Sequence, residues 1–239
     1  MGAEAAPKVR TLADAAAVSD ALADSVIGLG RECIASHGRF YVALSGGDTP
    51  RTAYALMGAR HRNALEWRHV HAFFTDERFV PPDDPRNNAA MAVREWLSKV
   101  AIPPHQVYAI PTVGGQPAEC AERYERTLRR LMTGHTTFDL AIMGIGTDGH
   151  TASLFPGDVA ALSEREHWVL AVQAPLGTEP RRRITLTTPI LNGSRRVMFV
   201  AVGEAKRPRV AEALAGANLP ATMIRGVEST EWLLDAAAA

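Results

Sequence analysis

The densest chemistry in this 239-residue chain is Gly144-Ile145-Gly146-Thr147-Asp148-Gly149-His150-Thr151, a glycine-bearing loop directly after an apolar run. It places a carboxylate two residues ahead of an imidazole. A neutral imidazole takes up a proton near pH 7, and a nearby carboxylate orients the ring and stabilises its charged form. His150 is therefore a candidate general base and Asp148 its orienting partner. The bland alternative is an Asp that caps a turn beside an ordinary loop histidine, one of 8 in the chain. Ser153 raises a Ser-His-Asp hydrolase, but no G-x-S-x-G elbow surrounds it.

A second glycine loop, Ser45-Gly46-Gly47-Asp48-Thr49-Pro50, offers backbone N–H groups unshielded by side chains, two hydroxyls and a helix start just beyond. Those are the parts of an anion cradle, because a helix N-terminus carries orphan donors and positive partial charge. Ser45, Gly46, Gly47 and Thr49 are its candidate members, and a tight turn with Thr49 as N-cap and Pro50 in the first helical position is compatible with the same residues. The loop has neither the Lys-Ser/Thr pair of a Walker motif nor the G-x-G-x-x-G of a dinucleotide turn. Three further charged sites stand at strand ends. Asp76-Glu77-Arg78 suits a carboxylate site or an arginine that polarises a carbonyl. Arg183 abuts an apolar strand, and Lys206 begins a helix, where a cation is unfavourable unless an anion sits there. No group of His, Cys or carboxylates has the spacing of a tetrahedral zinc site, so neither metal nor cofactor is expected. Cys33, Cys120, His69, His71, His105 and Asp139 read as structural.

The elements that must position these groups alternate. Helices are expected over residues 11–36 (stopped by Gly38), 51–57, 89–100, 117–132 and 205–214. Strands are expected over 40–44, 70–75, 138–145, 169–173, 184–187 and 197–202, with another at 106–110 and a long loop at 76–88. This pattern predicts an open, mostly parallel α/β sheet with helices on both faces, a Rossmann-like three-layer architecture, in one domain over 1–239. In such sheets ligands bind beyond the carboxyl ends of the strands, where the loops 45–50, 76–88, 146–157 and 203–206 converge.

Composition sets the outer bounds. Apolar residues make up 46% and charged residues 22%, as in a globular protein with a real core. Lys+Arg and Asp+Glu are both 26, so no global field draws nucleic acid or an anionic membrane, and any anion needs a local site. Only Lys8, Lys99 and Lys206 are lysines, which makes arginine abundance weak evidence and a well-placed lysine stronger evidence. Residues 1–10 have no apolar h-region and no 18-residue apolar run occurs, so a cytoplasmic protein with two buried thiols is expected.

Four segments, spread in order over most of the chain, resemble the 6-phosphogluconolactonase family: Leu44 to Pro50; Thr75 to Pro81 with Asn87-Asn88; Gly144 to Pro156; and Arg183 to Thr187 with Gly203-Glu204-Ala205-Lys206. Asn87 departs from the Ser common there. The wider superfamily includes glucosamine-6-phosphate isomerases/deaminases, which share the glycine loop and the Asp-Gly-His core. Thr151-Ala152-Ser153-Leu154-Phe155-Pro156 is similar to the lactonase continuation, where the deaminase branch carries a Glu-bearing segment. The resemblance implies metal-free hydrolysis of 6-phospho-D-glucono-1,5-lactone in the oxidative pentose phosphate pathway. It implies His150 as base with Asp148 orienting it, and Arg78 on the developing oxyanion. Asp76 is implied on a sugar hydroxyl, and Ser45, Gly46, Gly47, Thr49, Arg183 and Lys206 on the phosphate. The expected partner is this small sugar-phosphate lactone, without nucleic acid or membrane, in a monomer or weak homodimer. The competing readings are a deaminase acting on glucosamine 6-phosphate and a non-catalytic sugar-phosphate binding module.

Overall fold

A computed structural model describes residues 6–134 and 137–239. The chain opens with β1 (Lys8–Leu12) and α1 (Ala15–His37), then β2 (Phe40–Leu44), α2 (Asp48–Arg60), β3 (Val70–Phe74) and β4 (Asp76–Arg78). It continues through α3 (Asn88–Glu95), α4 (Pro117–Leu131), β5 (Leu140–Gly144), α5 (Val159–Ser163), β6 (Val169–Gln173) and β7 (Arg182–Leu186). The last elements are α6 (Thr188–Leu191), β8 (Arg196–Ala201), α7 (Arg207–Leu214) and β9 (Ser229–Asp235).

Six strands form a wholly parallel sheet in the order β1-β9-β8-β5-β2-β3. β2 is buried at every position and β5 at all but its last, as continuous apolar runs in a two-sided parallel sheet must be. α2 packs between α1 and α3, and α1 also covers β2 and β9. α4 packs on β6 and β7 instead. Its Tyr124 hydroxyl ties it to the end of β3, accepting the Phe74 N–H at 3.1 Å. Phe199 of β8 stacks on Trp232 of β9 at 4.3 Å, and full burial of such a side chain contributes about 1.5–3 kcal/mol.

The open parallel α/β sheet stands as expected, with four corrections. A second, antiparallel sheet of order β4-β7-β6 adjoins the first: β3 runs through Thr75 straight into β4, so the stretch 76–88 is not all loop. Residues 11 and 12 belong to β1, because Asp14 caps α1 by accepting the Ala17 N–H at 2.8 Å. β9 was not foreseen at all. The stretch 106–110 makes a single bridge, Val107 to Ala72, and no strand; Pro104–Gln106 is a short 3-10 turn whose Gln106 amide donates to Arg68 and Val70 carbonyls.

Candidate active site

The carboxyl ends of β2, β5 and β8 open into a cavity of about 640 Å³. It is lined by Ser45, Gly46, Gly47, Thr49, Asp76, Arg78, His150, Arg183 and Lys206, among others. Asp148 stands behind His150. The parallel sheet brings these ends together because every strand of it points the same way.

The loop after β5 closes on itself. The Gly146 N–H donates to the His150 carbonyl at 2.8 Å, and the Thr151 hydroxyl donates to the Gly144 carbonyl at 2.8 Å. Inside this turn His150 Nδ1 lies 2.5 Å from Asp148 Oδ1, which also accepts the His150 backbone N–H at 3.1 Å. A Cβ added at Gly146 would overlap both the imidazole and the Asp148 carboxylate, so the dyad depends on glycine there. Burial by itself would raise the Asp148 carboxyl, but the hydrogen bonds and charge of His150 outweigh it and hold it down at about 2. With Nδ1 donating to Asp148, the ring presents Nε2 as its free acceptor. The ring leans on Phe155, centroids 4.8 Å apart.

Asp76 ends up in the cavity because β4 pairs with β7, placing it opposite Thr185. Its Oδ2 accepts the Ser153 hydroxyl at 2.6 Å, and Asn88 Nδ2 donates to its backbone carbonyl at 3.0 Å. Ser153 is wholly buried, so it serves Asp76 and forms no triad with His150. Asn88 also abuts Gly46 so closely that a Cβ at Gly46 would overlap its amide. Ser153 and Asn88 are the site residues that sequence reasoning missed. Asn88 stood in a recognised segment, but only the β4–β7 pairing puts Ser153 beside Asp76.

Glu77, the next residue, is not part of the cavity lining. Its buried carboxylate accepts the N–H groups of Arg78, Asn88 and Ala89 at 2.8, 2.7 and 2.9 Å, capping α3. Burial nevertheless pushes this carboxyl up to about 7, against those hydrogen bonds. The folded state thus holds a proton that the unfolded chain releases in the ordinary carboxylate range. The associated stability is complete below about pH 4.5 and is lost as the pH rises through about 7. We expect the melting temperature of wild type to carry this downward slope between about pH 5 and 8. Glu77→Gln, permanently neutral, should flatten it, though from a lower baseline because its amide cannot accept from Ala89. Parallel slopes in the two proteins, measured by calorimetry across that range, would remove Glu77 as their source.

Arg78, Arg183 and Lys206 form no ion pair within 4.0 Å among the described residues, unlike Arg51, Arg86, Arg94 and Arg209, which pair with Asp48, Asp84, Glu95 and Glu212. Arg183 is buried, with Nε donating to the Pro180 carbonyl at 2.6 Å. Arg78 donates Nη1 to the Arg86 carbonyl at 2.9 Å, and its buried Nε has no partner. Lys206 is held by the Gly203 turn, whose N–H donates to both Asp235 oxygens at 3.0 and 3.1 Å at the end of β9. The glycine loop differs in one detail from expectation. Gly47, not Thr49, is the N-cap of α2, Pro50 is its third residue, and no side chain caps it. The first N–H groups of α2 therefore have no side-chain cap.

A family model described as glucosamine-6-phosphate isomerases/6-phosphogluconolactonase matches residues 13–232. A curated 6-phosphogluconolactonase of Nostoc sp. is 37% identical over 213 residues, covering 86% of this chain and 85% of that protein. The crystal structure of 6-phosphogluconolactonase from Thermotoga maritima superposes with a TM-score of 0.85 at 30% identity, covering 96% of this chain and 99% of that one. A monomeric glucosamine-6-phosphate deaminase superposes almost as well, with a TM-score of 0.84 and coverage of 97% and 98%, but at 18% identity, which speaks to the fold alone. On the extent of the family match and the identity to the Nostoc protein, this chain belongs to the glucosamine-6-phosphate isomerase/6-phosphogluconolactonase family.

Proposed function

We propose that this chain hydrolyses 6-phospho-D-glucono-1,5-lactone to 6-phospho-D-gluconate, using a water activated by His150 and no metal ion. One observation carries the reading: an Asp-oriented imidazole and three cations without carboxylate partners line the same cavity. His150 Nε2 takes a proton from water as its oxygen bonds to the lactone carbonyl carbon. Asp148 stabilises the imidazolium, and Arg78 meets the charge that develops on the carbonyl oxygen. The tetrahedral intermediate then collapses with cleavage of the bond to the ring oxygen, which receives the proton from His150. The products are the open-chain acid and its new hydroxyl. Ser45, Gly46, Gly47, Thr49, Arg183 and Lys206 hold the remote phosphate, whose binding positions the ring. Asp76, its orientation set by Ser153 and Asn88, accepts from a sugar hydroxyl.

The segment after His150, Thr151 to Pro156, contains no carboxylate, which favours the lactonase over the deaminase. The test is a pH-stat assay on freshly generated phosphogluconolactone, corrected for spontaneous hydrolysis, beside an ammonia assay on glucosamine 6-phosphate. We expect acid release well above background, no ammonia, and full activity after exhaustive EDTA treatment. Among the described residues, the one convergent trio of His, Cys and carboxylate donors lies outside this cavity. Ammonia release would establish the deaminase, binding without turnover a sugar-phosphate module, and zinc-restored activity a different water-activating group.

One lactonase domain over 1–239 fits a six-stranded parallel sheet that draws its strands from β1 to β9. The balanced charge gives no basis for nucleic-acid binding. No helix among the described residues is long and apolar enough to cross a membrane. Both cysteines are free and buried, which suits the reducing cytoplasm. We propose a monomer or weak homodimer.

A further inference from the structure

At the amino ends of the strands, opposite the cavity, Cys33, His37 and Asp139 converge. Cys33 and His37 stand four residues apart in the last turns of α1 and so share one face. Asp139 immediately precedes β5. One donor atom of each lies within 4.8 Å of the other two, and His37 Nε2 is 3.1 Å from Asp139 Oδ1. The second Asp139 oxygen, Oδ2, accepts the Tyr41 N–H at 2.8 Å, which leaves Oδ1 turned to the cluster. A separate opening of about 190 Å³, lined by His37, Asp139 and Arg195, gives solvent access.

We propose that Cys33, His37 and Asp139 form a zinc site outside the catalytic machinery, with water as the fourth ligand. A tetrahedral zinc ion at about 2.0–2.3 Å from its ligands holds the donor atoms roughly 3.3–3.7 Å apart, so no pair of the trio has to close by more than about 1.5 Å. One thiolate, one imidazole and one carboxylate suit zinc and not the hard, oxygen-seeking magnesium or calcium. Burial first and the Asp139 charge second push the Cys33 thiol up to about 12. Coordination replaces that proton with the ion and releases it to solvent. The neighbouring charges allow this. Arg195 Nη1, 3.2 Å from His37 Nε2 and 3.6 Å from Asp139 Oδ1, has to withdraw, but its Nε is already paired with Glu228 Oε1 at 2.7 Å. Arg196 is likewise paired with Glu32 at 2.8 Å. The bound ion would tie the end of α1 to the start of β5. The proposal is independent of what the cavity at the other end binds.

Cobalt is the probe. Titrated into the EDTA-treated, reduced protein, Co²⁺ should bind at one equivalent with tetrahedral visible bands and a thiolate-to-cobalt charge-transfer band, both displaced by Zn²⁺. Cys33→Ser should lose the charge-transfer band, and Cys120→Ser should keep it. Asp139→Asn, which can still accept from Tyr41, and His37→Ala, at the exposed end of α1, should each weaken Co²⁺ binding by about 10- to 100-fold or more. Circular dichroism confirms that each variant is folded. Lack of a band in wild type, its survival in Cys33→Ser, its loss in Cys120→Ser, or unchanged affinity in both Asp139→Asn and His37→Ala overturns the site.

Discussion

His150→Ala should lower kcat for lactone hydrolysis by roughly 100- to 10,000-fold, the span expected when a general base is removed. KM should change much less, because the proposed mechanism assigns the phosphate and the sugar hydroxyls to other residues. The fold should survive. The His150 side chain is one-third exposed, and its ring hydrogen bond is to Asp148 in its own loop. The backbone bond that closes the loop, from the Gly146 N–H to the His150 carbonyl, is untouched by the substitution. Asp148→Asn separates orientation from proton transfer, because it leaves an imidazole in place without the charge that selects its tautomer and stabilises its protonated form. It should also cost kcat, by less than His150→Ala, and its pH–rate profile should move where that of a merely loosened loop would not. Rapid-mixing assays at several pH values, corrected for spontaneous hydrolysis, give both quantities. Near-wild-type turnover in His150→Ala would exclude the imidazole as base.

Much of this site is local in the chain and was legible for that reason. Asp148 and His150 sit within one turn of each other, and Ser45 to Thr49 are contiguous, so composition and spacing already carried their chemistry. The strands that aim them, β2, β5 and β8, are buried on both faces and read as unbroken apolar runs. The missed parts are those set by partners distant in sequence. β1 and β9 pair with each other at one edge of the sheet, and Leu12 happens to fall on the helical step of the α1 pattern. β4 is three residues long and reads as loop until β7 is laid beside it. Ser153 reaches Asp76 across 77 residues of chain, and Asp139 reaches His37 across a comparable gap. No local signal announces such contacts. The cap of α2 differs from the Thr49 alternative for another reason. A threonine ahead of proline is a good cap in general, but here the chain enters α2 through Gly47, and the capping hydroxyl is dispensed with.

Lys206→Ala should weaken binding of 6-phosphogluconate on the order of 10- to 150-fold, the equivalent of about 1.5–3 kcal/mol for a hydrogen bond to a charged group. Lys206 occupies the N-cap position of α7, where the helix dipole disfavours a cation. Burial lowers its ammonium pKa, only partly opposed by the Asp148 carboxylate, and it has no ion-pair partner within 4.0 Å among the described residues. Without a ligand this is an uncomfortable place for a lysine. Across the cavity, α2 begins at Gly47 with no side-chain cap and N–H groups to offer, but its cradle supplies no fixed positive charge. A phosphate dianion between the two relieves both conditions, since it compensates the ammonium and satisfies the orphan donors. Unphosphorylated gluconate lacks the group that would make this bridge. Its weaker binding should therefore be nearly the same in wild type and Lys206→Ala. Calorimetric titration of both ligands into both proteins measures the difference directly. A Lys206→Ala protein that loses affinity for gluconate as much as for 6-phosphogluconate would put the lysine on the sugar and leave the phosphate to Arg183 and the glycine loop.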